Sequence, residues 1–143
     1  MPVLRSTKWI AILLLLCGVA APAEDSVDAA VSRLSTVERF AFGGTGYAGV
    51  TSKGELDFKV VLSQPRPAAL TAFERLFATG NPQGKSYALS GVKKLNPEKF
   101  KELLASASAS TEQVEVMRGC IVSHESLREV AKQIDRGEFS MPK

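Results

Sequence analysis

Two short stretches of this chain hold residue types that could do chemistry. Cys120 and His124 are four residues apart. A thiol is a potential nucleophile and an imidazole its potential base. If a strand ends near Ser123 and His124 opens a helix, the two can approach each other, and a helix N-terminus lowers a thiol pKa. The surrounding pattern points elsewhere. Val114, Val116, Arg118, Cys120 and Val122 alternate with other residues, which is the period of a strand. Cys120 then shares the apolar face with Val116 and Val122 and is a buried structural cysteine. A small cysteine hydrolase acting through Cys120 and His124 stays as the alternative, and an intermolecular disulfide through Cys120 as a third option.

The second stretch is Gly44-Thr45-Gly46-Tyr47-Ala48-Gly49, which fits G-x-G-x-x-G. In a dinucleotide-binding domain such glycines let the backbone approach a pyrophosphate, but only between a core strand and the helix it feeds. The segment before Gly44 reads as a helix tail or a very short strand, and the next helix opens only after Ser52. Cofactor binding is therefore not expected, and the stretch reads as a glycine-rich loop presenting Thr45 and Tyr47. His124 is the only histidine, so a multi-histidine metal site is excluded, and no carboxylates fall in a calcium-loop spacing. Glu112, Glu115 and Glu125 read as solvated faces.

The elements that must position these residues are mostly helical. Residues 25–42 fit an amphipathic helix capped by Asp25, with Val27, Ala30, Val31, Leu34 and Ala41 near one face, although Phe40-Ala41-Phe42 equally fits the start of a strand. Residues 43–54 hold five of the eleven glycines and are irregular. Ser52-x-x-Glu55 forms a capping box opening a helix at about 53–63, with Leu56 and Val60 inward. The alternation Leu56, Phe58, Val60, Leu62 competes for a strand over 55–62. Gln64-Pro65-Arg66-Pro67 is a rigid corner. Residues 68–79 carry Leu70, Phe73, Leu76 and Phe77 on one face and stop at Gly80. Asn81-Pro82 and Asn96-Pro97 each place a cap before a proline at the first helical position. Ser86, Ala88, Ser90 and Gly91 allow close helix contact. Leu95 and Phe100 form a hydrophobic staple. Ala105 to Ser110 reads as a loose helix end or linker, followed by the strand near 114–122. Ser123 caps a last helix over about 124–136, stopped at Gly137. Phe73, Phe77, Tyr87 and Phe100 recur at helical spacing and belong to a core. The fold class is mainly α: about five helices in hairpin packing, with a minor β element near 114–122.

The array over residues 52–106, with its Gly80-Asn81-Pro82 turn, alanine-bearing second helix and Asn96-Pro97 restart, resembles HEAT-like helical hairpins. That resemblance implies a scaffold or binding surface rather than catalysis.

The N-terminus sets the compartment. Arg5 and Lys8 precede an apolar run from Trp9 to Ala20, which closes on Ala21-Pro22-Ala23 before Glu24-Asp25. This is the layout of a secretory signal peptide. The run is shorter than the about 20 residues a membrane span needs, so no span is expected after cleavage. The domains are then a signal peptide at 1–23 and a single helical domain at 24–143, exported to the periplasm or beyond. Cleavage removes Cys17 and leaves Cys120 alone, so no intramolecular disulfide can form. Losing Arg5 and Lys8 lowers Lys plus Arg from 18 to 16 against 15 Asp plus Glu, so the net charge falls from +3 to +1. Without a concentrated basic face, nucleic acid is not an expected partner. The expected function is a non-enzymatic binding or scaffold module for a protein or envelope component. An inhibitor of a secreted enzyme, inserting the loop around Thr45 and Tyr47, is a further alternative.

The exported chain is expected to begin at Glu24. Intact-mass measurement of protein from the envelope fraction checks this; full-length chain there, or a lipid on Cys17, would refute it.

Overall fold

The computed structural model describes residues 26–139 and 141. The leader predicted at 1–23 lies outside the described residues, as does Asp25. Six helices are present among those described: α1 (Val27–Ser35), α2 (Lys53–Leu62), α3 (Arg66–Thr79), α4 (Pro82–Leu95), α5 (Pro97–Ser108) and α6 (Leu127–Asp135). Two antiparallel strand pairs accompany them: β1 (Gly44–Thr45) with β2 (Val50–Thr51), and β3 (Gln113–Arg118) with β4 (Ile121–Ser126). The fold is mainly α with a minor β part.

Helix starts follow from short polar side chains that satisfy otherwise orphaned amides. Ser52 Oγ accepts from Glu55 N at 3.1 Å, Asn81 Oδ1 from Gly84 N at 2.8 Å, and Asn96 Oδ1 from Lys99 N at 3.1 Å. Pro82 and Pro97 occupy the first helical positions, as expected. The capping box at Ser52 is only half formed. Glu55 does not reach back to Ser52; its Oε2 accepts from the Gly43 amide at 2.8 Å and its Oε1 pairs with Lys59.

The core centres on α4, which is buried from Ser86 through Val92. Its hydroxyls remain satisfied there: Ser86 Oγ donates to the Pro82 carbonyl and Ser90 Oγ to the Ser86 carbonyl. Around it stands an aromatic cluster. Phe40 and Tyr87 have ring centroids 4.9 Å apart, Phe42 and Phe58 5.0 Å, Phe42 and Tyr87 5.3 Å, and Phe58 and Phe73 5.3 Å. α3 comes close to α4 because residue 91 is glycine: a Cβ there would sit 2.5 Å from the Phe73 ring. The Tyr87 hydroxyl donates to the Ala41 carbonyl at 2.8 Å and accepts from the Ala41 amide at 3.1 Å. Burial, chiefly, raises the Tyr87 pKa above the usual tyrosine value.

Several expectations need correction. α1 ends at Ser35, and of the two readings of Phe40–Phe42 the extended one holds, beside β3; Ser26 caps the helix. Residues 53–62 are helix, but their buried face is Gly54, Phe58 and Val61, at i, i+4 and i+7, so Leu56 is half exposed. α3 starts at Arg66, with Pro67 in its first turn, so the corner is tighter than predicted. The alanine-serine tract is helical to Ser108 and buries Ala107. The single strand near 114–122 is instead a hairpin of two strands. Consequently the last helix starts at Leu127 and is capped by Ser126, not Ser123.

Three variants test this core in denaturant melts. Phe73→Ala is expected to cost about 3–5 kcal/mol, and Gly91→Ala about 1–3 kcal/mol, because α3 cannot stay in place. Tyr87→Phe leaves the Ala41 amide unpaired and its carbonyl with only the longer bond from Ser52 Oγ at 3.3 Å, and is expected to cost about 1–3 kcal/mol. The native chain holds the Tyr87 proton more tightly than the unfolded chain does. That contribution is complete below about pH 10 and fades as pH rises further, so the gap between wild type and Tyr87→Phe narrows there. A Phe73→Ala loss under about 1 kcal/mol would place α3 wrongly.

Candidate functional site: the paired hairpins

The segment leaving α1 runs parallel to β3. Phe40 N donates to the Glu115 carbonyl at 2.9 Å, and the Met117 amide donates to the Phe40 carbonyl at 2.9 Å. Four residues later the β1–β2 hairpin begins, and the Gly46 amide donates to the Gly119 carbonyl at 2.9 Å. That bond sets the turn of the glycine-rich hairpin beside the turn of β3–β4. The hairpin itself closes through Thr45 Oγ1 donating to the Val50 carbonyl and the Gly49 amide donating to the Gly46 carbonyl. Gly46 and Gly49, both at positive φ, make this turn. Of the two residues singled out in this loop, Thr45 is partly buried and Tyr47 fully exposed.

β3 and β4 pair from Gln113↔Ser126 to Arg118↔Ile121, which leaves a two-residue turn, Gly119-Cys120. Gly119 has φ +56° and Cys120 does not have positive φ, the pattern of a type II′ turn. Cys120 is therefore exposed at the tip of a hairpin, not buried on a strand face. The predicted phase fails at the turn: Val114 and Val116 are buried, but Val122 lies across the hairpin and is 42% exposed. His124 lies within β4, opposite Glu115, with Nε2 3.7 Å from Glu115 Oε2. It is three pairing steps from the turn, about 10 Å at strand rise. The structure thus brings Thr45 and Tyr47 next to the Cys120 turn and holds Cys120 and His124 apart. No thiol–imidazole dyad is assembled.

A cleft of about 520 Å³ lies beneath the hairpins, between the strand after α1 and the first turn of α2. Arg33, Glu38, Arg39, Lys53, Asp57 and Met117 line it. Its charges are largely engaged internally. Arg33 grips Asp57 through bonds of 2.6–3.0 Å, and Arg39 holds Glu115 at 2.5 Å, a bond that raises the Arg39 pKa. Lys53 and Glu38 also line the cleft, so both signs of charge are present in it. Among the described residues, no three His, Cys, Asp or Glu side chains gather as a metal site.

Compared with protein-family models, with curated proteins and with solved structures, the chain matches none of them.

Two exposed residues escaped the sequence reading. Val50 on β2 is 61% exposed and Ile121 on β4 is 72% exposed. With Tyr47 and Val122 they place four large apolar side chains in the two neighbouring hairpins. The sequence signal for this was faint: β-branched residues directly flanking glycine-containing turns.

Native Cys120 should label rapidly with a small thiol reagent, at a rate close to that of the unfolded chain, and His124→Ala should leave that rate unchanged. Slow native labelling would put the thiol under cover, and a rate that depends on His124 would reunite the dyad.

Proposed function

We propose that this chain is an exported binding module for another macromolecule of the envelope or its surroundings, and that the paired hairpins are its contact surface. The observation that carries this reading is Tyr47. It is fully exposed at the end of a hairpin that is itself held to β3–β4 by the Gly46–Gly119 backbone bond. Exposed apolar side chains scattered singly are ordinary, but here four lie on two adjoining hairpins, with Ile121 and Val122 on opposite faces of β4. Tyrosine on a held backbone gives a large contact area at small entropic cost. The helices supply the platform: α3 and α4 are joined by Gly80 and Asn81 alone and pack on each other. This is in keeping with the HEAT-like resemblance and its scaffold role. The protrusion of Tyr47 also favours a second reading, in which the loop enters the cleft of a secreted enzyme and inhibits it.

Affinity capture from envelope extract, with wild-type chain and Tyr47→Ala as paired baits, tests the proposal. A partner retained by wild type is expected to bind the variant at least about 30-fold more weakly, the scale of a hot-spot residue. The melting behaviour should barely change, since Tyr47 contributes no burial. If the captured protein is a hydrolase that loses activity with wild-type chain, the inhibitor reading stands. Equal capture by both baits would refute the hairpin surface.

A further inference from the structure

The β3–β4 sheet has one open side. On the β3 side, the groups of Glu115 and Met117 face Phe40, and Gly119 faces Gly46. Backbone groups alternate sides along a strand. Val114, Val116 and Arg118 therefore face β4, and their partners Glu125, Ser123 and Ile121 face back toward β3. The N–H and C=O of Val122 and His124 then point away from the sheet. Among the described residues, no backbone group pairs with them. Proteins ordinarily blunt such an edge with lysine, proline or a bulge. β4 reads Ile-Val-Ser-His-Glu-Ser and pairs without interruption across six residues, so it has none of these; its one carboxylate, Glu125, is held within the chain by Arg118, Ser123 and Gln133.

We infer that β4 pairs antiparallel with β4 of a second copy, about a two-fold axis through Ser123. The edge is self-complementary in that register. Val122 of each copy faces His124 of the other, and each such pair exchanges both of its backbone bonds. All four outward groups of each copy are satisfied. The side chains select the same register. Ser123 meets Ser123, Val122 meets His124, and Ile121 meets Glu125, so no like charges are opposed. Moving the axis to His124 sets two imidazoles against each other. Moving it to Val122 pairs His124 with Cys120, already in the turn. An isologous contact of this kind closes at two copies. Val122 gains cover, and the two Tyr47 hairpins come to be carried by one continuous four-stranded sheet. The inference concerns the outer edge of β4 and does not rest on the partner reading above.

Sedimentation of the purified chain at micromolar concentration is expected to give twice the monomer mass. Val122→Pro removes an outward N–H while keeping every bond to β3, a substitution that edge strands tolerate. It should weaken the dimer about 30-fold or more, through two lost bonds per dimer. In a Cys17→Ser/Cys120→Ser background, Ser123→Cys should cross-link on oxidation with copper phenanthroline. Opposed residues at non-hydrogen-bonded positions are about 4.5 Å apart, within disulfide range. Native Cys120 should not cross-link to its counterpart, because the register separates the two by about 20 Å. A monomer at all concentrations would overturn the inference. So would a dimer untouched by Val122→Pro, or one joined readily through Cys120 and not through Ser123→Cys. If Val122→Pro loses its helical circular dichroism, the Ser123→Cys cross-link decides.

Discussion

The Tyr87 hydroxyl holds this structure together at its least helical point. After α1 the chain must turn from helix to extended backbone inside the core, where Ala41 is buried and lies off any helix. An unpaired amide and carbonyl there would each be costly. The phenol serves both groups, because a hydroxyl both donates and accepts, and Ser52 Oγ adds a longer bond to the carbonyl at 3.3 Å. It can do so only because α4 is fixed behind it and because residue 54 is glycine. A Cβ at 54 would lie 2.5 Å from the Tyr87 oxygen. Phe40 and Phe42, on either side of Ala41, pack edge-on against the same ring.

From that point the rest of the architecture follows. With Phe40 pinned, its backbone forms the parallel contact with β3, and the sheet is oriented against α4 and α6. The glycine-rich hairpin emerges directly after the pinned segment, so its position relative to Gly119 is set by buried contacts, although its own side chains contribute little burial. Polar groups follow the same economy. Asp57 is buried but held by Arg33, and Glu125 is held by Arg118, Ser123 and Gln133. Burial works against the Glu125 charge, yet those bonds outweigh it and keep the carboxyl below its usual pKa. These bonds tie the end of β4 to β3 and α6 where the chain enters that helix.

The division between platform and surface has a physical basis. The helices meet through small residues and aromatic rings, and the described residues leave no buried side-chain polar atom unsatisfied. The hairpins, in contrast, are short strand pairs carrying exposed apolar side chains. A two-stranded hairpin alone is marginal in water. Here each is supported by the other and by Phe40, which allows side chains such as Tyr47 to remain outside.

The sequence by itself determined the three helix starts at Ser52, Asn81 and Asn96, the glycine turn and the large aromatic part of the core. Ser52, Asn81 and Asn96 announce their helices because capping involves atoms within three residues. The burial of Phe73, Tyr87 and Phe100, and close helix contact at small residues including Gly91, were legible from helical spacing; that the Phe73 ring fills the space at Gly91 was not. Tertiary structure decided the rest. α1 stops at Ser35 because β3, more than seventy residues later, offers Phe40 a backbone partner. α2 turns Phe58 and Val61 inward, not Leu56 and Val60, because the aromatic cluster lies on that side. Most consequentially, an alternating pattern over 114–122 cannot show that the chain reverses at Gly119. A strand and a tight hairpin share the same period, and only pairing across the turn tells them apart. That reversal moved Cys120 from core to tip, parted it from His124, and brought it beside a loop seventy residues away in sequence. Local bonds are encoded locally; which surfaces meet depends on the free energy of the whole packed chain.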